Sequence, residues 1–155
     1  PGYEISNFAR SEADQSRHNR KYWTGAPYLG LGPAAHSFRG NVRRWNLRDL
    51  DRYLAALDRG QAPVAGAERL TVTQRMIEAI YLGLRMRMGW DSAGFRARFG
   101  SEPLERMAPR IERLIDEGMA RWESGRLILT GRGLPVHETI AAHLRGALED
   151  VRVRR

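Results

Sequence analysis

The sequence predicts an α+β protein whose irregular, strand-containing first part is followed by a mostly helical C-terminal domain with a small β-hairpin. Apolar residues make up 42% of the 155 residues, which is enough for a packed core. They recur at helical spacing from residue 47 onward, whereas residues 22–45 are rich in Gly, Pro and aromatic residues and have no helical period. The predicted order after residue 70 is three helices, a hairpin and a last helix, which resembles a winged helix.

The first part of the chain predicts short strands separated by irregular segments. Residues 3–9 alternate loosely between polar and apolar positions and predict a strand, and the polar residues 10–20 predict a loop. Residues 28–31 and 42–45 are the next strand candidates.

A boundary is predicted at residues 61–70, where Pro, Gly and Ala form a linker. Before the linker, a helix capped by Asn46 carries its leucines on one face and ends before Gly60. We therefore divide the chain into a first part at residues 1–60 and a C-terminal domain at residues 71–150.

Capping residues predict where the helices of the C-terminal domain begin. Thr71-x-x-Gln74 is a capping box that opens a helix, and Gly83 inside this helix indicates close packing. Asp91 or Ser92 opens a short helix.

Ser101 starts the following helix, which Pro109 should kink or split. Two short apolar runs joined by Ser124-Gly125 predict a hairpin at residues 119–130. A last helix follows, and residues 151–155 predict a frayed tail.

Charge and hydropathy limit the classes of partner. The formal net charge is +8, and all but one of the 26 basic residues are arginine. A basic surplus suggests nucleic acid or anionic lipid as a partner. The arginines, however, are interleaved with acidic residues and form no continuous basic stripe that could bind either one. We therefore expect no nucleic-acid partner and at most peripheral membrane contact. No apolar run approaches the roughly 20 residues that span a bilayer, and we expect a cytoplasmic protein.

The chain contains no cysteine. This excludes disulfides, thiolate nucleophiles and Cys-ligated zinc or iron–sulfur sites within these residues. The sequence begins with Pro1 in the middle of a pattern, so we expect an upstream portion to be missing.

Two motifs in the sequence resemble known binding sites but lack the structural context that those sites require. We assign no catalytic residue. Gly30-Leu31-Gly32-Pro33-Ala34-Ala35 has the letters of a dinucleotide fingerprint, but no helix follows it, so it predicts only a tight turn that allows close backbone approach. His137 and His143 are six residues apart, which places them on nearly opposite sides of a helix and excludes a shared metal.

The segment His18-Asn19-Arg20-Lys21-Tyr22-Trp23 combines residues that suit a flat, amphiphilic iron macrocycle. In a polar loop, His18 can offer an imidazole nitrogen, the common axial donor to haem iron. Tyr22 and Trp23 provide flat apolar surface with polar tips. Arg17 and Arg20 are available to pair with propionate carboxylates.

This segment is one of a series of ordered motifs. The series comprises Tyr3-Glu4-Ile5-Ser6-Asn7-Phe8-Ala9, His18-Asn19-x-x-Tyr22-Trp23 and Tyr28-Leu29-Gly30-Leu31-Gly32-Pro33-Ala34-Ala35-His36-Ser37. With these motifs the chain resembles the C-terminal part of the oxygen-independent coproporphyrinogen III oxidase-like radical SAM family, and best its haem chaperone branch. Ala34 stands where that family usually has a glycine.

The resemblance implies a longer protein whose N-terminal half is a radical SAM partial (β/α) barrel that binds a [4Fe–4S] cluster and S-adenosylmethionine. The first ten residues would then be the remnant of the barrel edge, and residues 11–60 would wrap its open end. The resemblance also implies haem binding by His18, Asn19, Tyr22 and Trp23, with His18 as the candidate iron ligand. A second group would line the cofactor end of the barrel, namely Gly30, Gly32 and Ser37.

Three functions remain open at this point. The resemblance favours the C-terminal region of a haem chaperone, which binds haem transiently and passes it to haem-accepting proteins. The alternative is part of a true coproporphyrinogen III oxidase, a reaction that this chain alone cannot perform because it lacks the cluster cysteines. The net charge and the winged-helix order suggest a nucleic-acid-binding domain, but the helix before the hairpin carries several acidic residues.

Overall fold

The computed structural model describes residues 2–149, which form two compact units. The first, here called the helical unit, contains the residues before Gly25 and those from Val72 onward, and the second, the sheet unit, is Gly25–Thr71. The α-helices in the described residues are α1 Arg17–Trp23, α2 Leu50–Asp58, α3 Val72–Arg85, α4 Ser92–Phe99, α5 Glu102–Asp116 and α6 His137–Glu149. The strands are β1 His36–Arg39, β2 Val42–Asn46, β3 Val64–Arg69, β4 Trp90–Asp91, β5 Ala120–Glu123 and β6 Arg126–Leu129.

The helical unit contains the winged-helix order that the sequence predicted. It runs α3, β4, α4, α5, β5, β6, and the three strands form one antiparallel sheet in the order β4-β6-β5. Helix α6 then packs against both α3 and α5. The α+β class is confirmed, and the core of this unit contains Ile80, Leu84, Trp90, Phe95, Met107, Leu127 and Leu144.

The capping and turn predictions for this unit are largely confirmed. The carboxylate of Asp91 accepts a hydrogen bond from Gly94 N–H at 3.1 Å and caps α4. Ser124 and Gly125 form the hairpin turn with φ values of 50° and 74°, and two positive φ values define a type I′ turn, whose twist matches that of the paired strands.

Pro109 was predicted to kink or split its helix, and a split is wrong, because α5 is one continuous helix of 15 residues. Pro109 lies on an exposed position, so the carbonyl group that loses its N–H partner is on the side that faces water. The opposite face of α5 packs into the core through Met107, Ile111 and Leu114, and this burial stabilises the helix across the proline.

The strand predicted at residues 3–9 is wrong. The segment makes only isolated bridges, Gly2 to Phe8 and Glu4 to Met86, and the first of these closes a loop. A local hydrogen-bonded turn replaces the strand, because the Glu4 carboxylate accepts from the N–H of Ser6 and from the side chain of Asn7, each at 2.6 Å.

The sheet unit contains an antiparallel sheet in the order β1-β2-β3, with α2 between β2 and β3 in the chain. Gly40, with φ of 66°, and Asn41 join β1 to β2. The strand predicted at residues 42–45 is confirmed by β2, whereas residues 28–31 contribute only one bridge, Tyr28 to Phe38.

Two sequence predictions in this unit are wrong. Residues 61–70 are not a linker, because Val64–Arg69 is β3 and pairs along β2. Asn46 does not cap α2, because it ends β2, and Asp49 caps the helix by accepting from Arg52 N–H at 2.8 Å.

None of the helices within residues 2–149 is long and apolar enough to cross a lipid bilayer. The predicted tail at residues 151–155 lies outside the described residues.

Candidate functional site

The predicted haem-binding segment is a helix and not the loop that its polar composition suggested. Ser16 caps α1, because its hydroxyl oxygen accepts from the Asn19 N–H at 3.2 Å. Thr24 closes the other end, where its N–H donates to the Arg20 carbonyl at 3.0 Å, and Gly25 follows with φ of 66°.

Helix α1 places the four predicted residues in two neighbouring rows. His18 and Tyr22 are four residues apart and share one row, and Asn19 and Trp23 form the next. The rings of His18 and Tyr22 meet edge to face with centroids 5.0 Å apart. His18 is exposed and Tyr22 is 37% exposed, so the first row faces solvent.

The second row is partly used in packing. The indole of Trp23 lies against the ring of Tyr3, with centroids 5.7 Å apart, and is half-buried. The Tyr3 hydroxyl accepts a hydrogen bond from the Ser16 N–H at 3.3 Å. The Tyr3 side chain therefore contacts both ends of α1. Trp23 therefore anchors α1 on the helical unit and presents only part of its ring to a ligand.

Of the two cations that the sequence suggested beside His18, Arg17 lies next to it and Arg20 does not. Arg17 and Lys21 form the row that flanks His18 and Tyr22, and both are exposed. Arg20 is two residues from His18, on the opposite side of the helix, where it lines a recess of about 240 Å³ with Tyr3 and others. Arg20 therefore does not share a face of α1 with His18, whereas Lys21 lies in the adjoining row.

The second predicted group, Gly30, Gly32 and Ser37, lies together in the sheet unit. The Gly30 N–H donates to the Ser37 hydroxyl at 3.0 Å. The Gly32 N–H donates to the Tyr53 hydroxyl at 3.1 Å, and the Asn46 side chain donates to the Gly32 carbonyl at 2.9 Å. Internal partners therefore hold this turn, as expected of close packing.

Burial separates the four histidines of the chain. His18 and His36 are exposed, His143 is half-buried, and His137 is 5% exposed. Burial lowers the pKa of His137 below its ordinary value and keeps the ring neutral, and the ring packs against Tyr81 with centroids 4.7 Å apart. Only two imidazoles are therefore placed to reach a large ligand.

A buried ion pair near the start of the chain was not predicted from the sequence. Glu4 is 2% exposed, and its second carboxylate oxygen lies 2.5 Å from Arg85 Nε on α3. Burial raises the pKa of Glu4, but the hydrogen bonds from Asn7 and Ser6 and the charge of Arg85 outweigh it and lower the pKa overall. The two residues are far apart in sequence, so no local pattern predicts the pair.

Comparison with known proteins identifies the class. Residues 70–136, which contain α3 to β6, match the family model described as the HemN C-terminal domain. Over these residues the chain is similar to the HemN C-terminal domain family, and the resemblance predicted from the motifs is confirmed.

Individual relatives match a longer part of the chain than the domain family does. The haem chaperone HemW of Mycobacterium tuberculosis is 34% identical over 144 residues, which cover 93% of this chain and 35% of that protein. The haem chaperone HemW of Bacillus subtilis is 29% identical over 132 residues, 84% of this chain and 34% of that protein. The chain thus spans about a third of the length of these curated relatives.

A solved structure has the same fold. It is the coproporphyrinogen III oxidase HemN of Escherichia coli, a radical SAM enzyme, which matches with a TM-score of 0.58 over 77% of this chain and 28% of that one. The sequence identity is 15%, so this match supports the architecture alone.

Proposed function

We propose that the chain is the C-terminal region of a haem chaperone that binds haem transiently through His18 and delivers it to haem-accepting proteins. The observation that carries the proposal is the exposed His18–Tyr22 row on α1. The relatives named haem chaperone HemW support it, since they match along most of this chain.

The chemistry of the row fits a bound haem. The His18 imidazole is an axial donor to iron, and Tyr22 restricts its rotation through the edge-to-face contact. Arg17 and Lys21 on the adjoining row would pair with the propionates. Because His18 and Tyr22 are exposed, an acceptor could reach a haem bound there.

The radical SAM cofactors are assigned to the rest of the longer protein. The chain has no cysteine that could ligate a [4Fe–4S] cluster, so its residues do not fit that group. We assign no redox step to this chain.

Haem titration followed by the Soret band tests the proposal. The wild-type protein should shift the band, and His18→Ala should bind haem at least about tenfold more weakly, a loss of about 1.4 kcal/mol. His143→Ala is the matched control, because it removes an imidazole from another helix and should leave the titration unchanged. Equal binding by wild type and His18→Ala would reject His18 as the ligand.

The alternative that the sequence motifs leave open is a true coproporphyrinogen III oxidase. Anaerobic product analysis of the longer protein, with its cluster reconstituted, separates the two. Haem binding without protoporphyrinogen formation supports the chaperone, and sustained turnover supports the oxidase.

A further inference from the structure

A second aromatic surface lies in the sheet unit, in a row of side chains across β1 and β2. His36 and Trp45 are directly opposite each other in the strand register, so their side chains share one face of the sheet. Their ring centroids are 6.1 Å apart and the ring planes differ by 33°. The two rings therefore lie side by side at a shallow angle.

Glycines lie at both ends of this row. Gly66 on β3 is opposite Trp45, and a Cβ at Gly66 would lie 2.6 Å from Trp45 Cζ2. The indole therefore packs directly against the Gly66 backbone, in space that a side chain at this position would fill. Gly30 packs directly against the backbone of His36, where a Cβ has no room.

His36 is exposed and Trp45 is half-buried, so part of this surface faces solvent in the sheet unit. The neighbouring row on the same face contains Phe38, whose ring packs against that of Tyr28 with centroids 6.2 Å apart. Neither His36 nor Trp45 is needed for the turn contacts described above.

We propose that His36 and Trp45 form a stacking platform for a flat aromatic macrocycle, separate from the iron-binding row on α1. The surface is two rings wide, which suits a ligand larger than a single aromatic ring. The identity of the macrocycle as a porphyrin rests on the proposed haem-handling function. The platform acts by stacking, so it does not depend on iron.

Metal-free protoporphyrin IX is the probe, because it stacks but cannot coordinate an imidazole through iron. Its fluorescence is titrated with wild-type protein and with Trp45→Leu, Trp45→Phe and His36→Asn. Trp45→Leu should weaken binding about tenfold, which is within the range for stacking on one aromatic ring. Trp45→Phe keeps a flat ring and should stay within about threefold of wild type.

Two controls make the outcome specific. Trp122→Leu removes an indole that is 45% exposed on the hairpin of the helical unit and should not change binding. Phe8→Leu removes a ring that is 75% exposed in the helical unit and should not change binding either. Circular dichroism checks that each variant is folded, and His36→Asn, with about threefold weaker binding expected, tests the platform if Trp45→Leu does not fold.

Absence of binding by wild type, or equal binding by wild type, Trp45→Leu and His36→Asn, would overturn the platform. These results are distinct from failure of the proposed function. If haem gives no His18-dependent Soret shift while metal-free protoporphyrin still needs Trp45, the iron site fails and the platform stands.

Discussion

At the scale of single residues, one close contact in the helical unit occurs at a glycine inside a helix. A Cβ at Gly83 on α3 would lie 2.6 Å from Trp90 Cδ1 and 3.1 Å from Trp90 Cα. Trp90 is in the core and its ring also meets that of Phe95, so it cannot move aside freely. The position requires glycine for space, in agreement with the sequence prediction of close packing.

Gly83→Ala should lower the free energy of unfolding by about 1–3 kcal/mol, because the clash with Trp90 outweighs the gain in helix propensity of about 1 kcal/mol. Gly131→Ala is the control, since nothing lies within 4 Å of its Cβ position. Chemical denaturation measures both. Equal stability of the Gly83→Ala and wild-type proteins would show that Trp90 moves.

The buried His137 should make stability depend on pH. Burial lowers its pKa and the charge of Arg85 lowers it further, while Tyr81, Glu138 and Glu4 only partly oppose this. The folded pKa is therefore below the ordinary value of about 6.5, and the unfolded chain takes up the proton first as the pH falls. The free energy of unfolding should decrease as the pH falls below about 6.5, and His137→Gln should flatten this decrease.

A variant of a second histidine and a lower pH range provide further checks on this pH dependence. Partial burial and the charges of Arg110 and Arg113 also lower the pKa of His143, so His143→Gln should remove only its own part of the decrease. The lowered pKa of Glu4 adds stability that is lost at more acidic pH, as the carboxylate is protonated. Identical pH profiles for wild type and His137→Gln would contradict a buried neutral ring.

At the scale of elements, side-chain caps decide where several helices begin. Asp91 caps α4 with its carboxylate and also lies 3.5 Å from Arg126. Ser101 precedes α5 without a side-chain capping bond. Comparing Asp91 with Ser101 therefore shows how much a side-chain capping bond stabilises the protein, since both residues precede a helix and only Asp91 makes such a bond.

Asp91→Ala should cost about 0.5–2 kcal/mol of unfolding free energy, because Gly94 N–H loses its acceptor. Ser101→Ala should cost less than about 0.5 kcal/mol, since no capping bond is lost. Thermal or denaturant unfolding of the two variants makes the comparison. A larger loss for Ser101→Ala than for Asp91→Ala would contradict this account of the caps.

At the scale of the whole molecule, the winged-helix order suggests DNA binding as a function. The side chains of α5 argue against this function. Arg106 donates to the carbonyl of Ala147 at 2.6 Å and Arg110 to that of His143, so both guanidinium groups bond to α6. Glu105 and Glu112 lie exposed on the same helix. We expect no complex with a short DNA duplex in a gel shift at low salt, and a complex that weakens steeply with added salt would contradict this.

Local signals predicted much of the helical unit, and long-range contacts account for what they missed. The hairpin turn at Ser124 and the cap at Asp91 depend on neighbouring residues, and both were predicted. Strand β3 was missed because nearly all of its side chains are exposed and only its pairing with β2 makes it a strand. Helix α1 was missed because it has seven residues and no apolar period, and its contact with Tyr3 comes from a distant part of the chain.

The candidate site was predicted in composition but not in geometry. The motif pointed to His18 and Tyr22, and their common row became visible only once α1 was seen to be a helix. The role of Lys21 beside them follows from the same helical spacing. The His36–Trp45 pair could not be predicted, because it depends on the register between β1 and β2.

In the proposed function, the His18 imidazole binds haem iron. Resonance Raman spectroscopy of the ferrous haem complex tests it most directly, through the stretching band of the bond between iron and the imidazole nitrogen. We predict that the band is present in the wild-type protein and in His143→Ala and absent in His18→Ala. The same band at the same frequency in His18→Ala would contradict the claim.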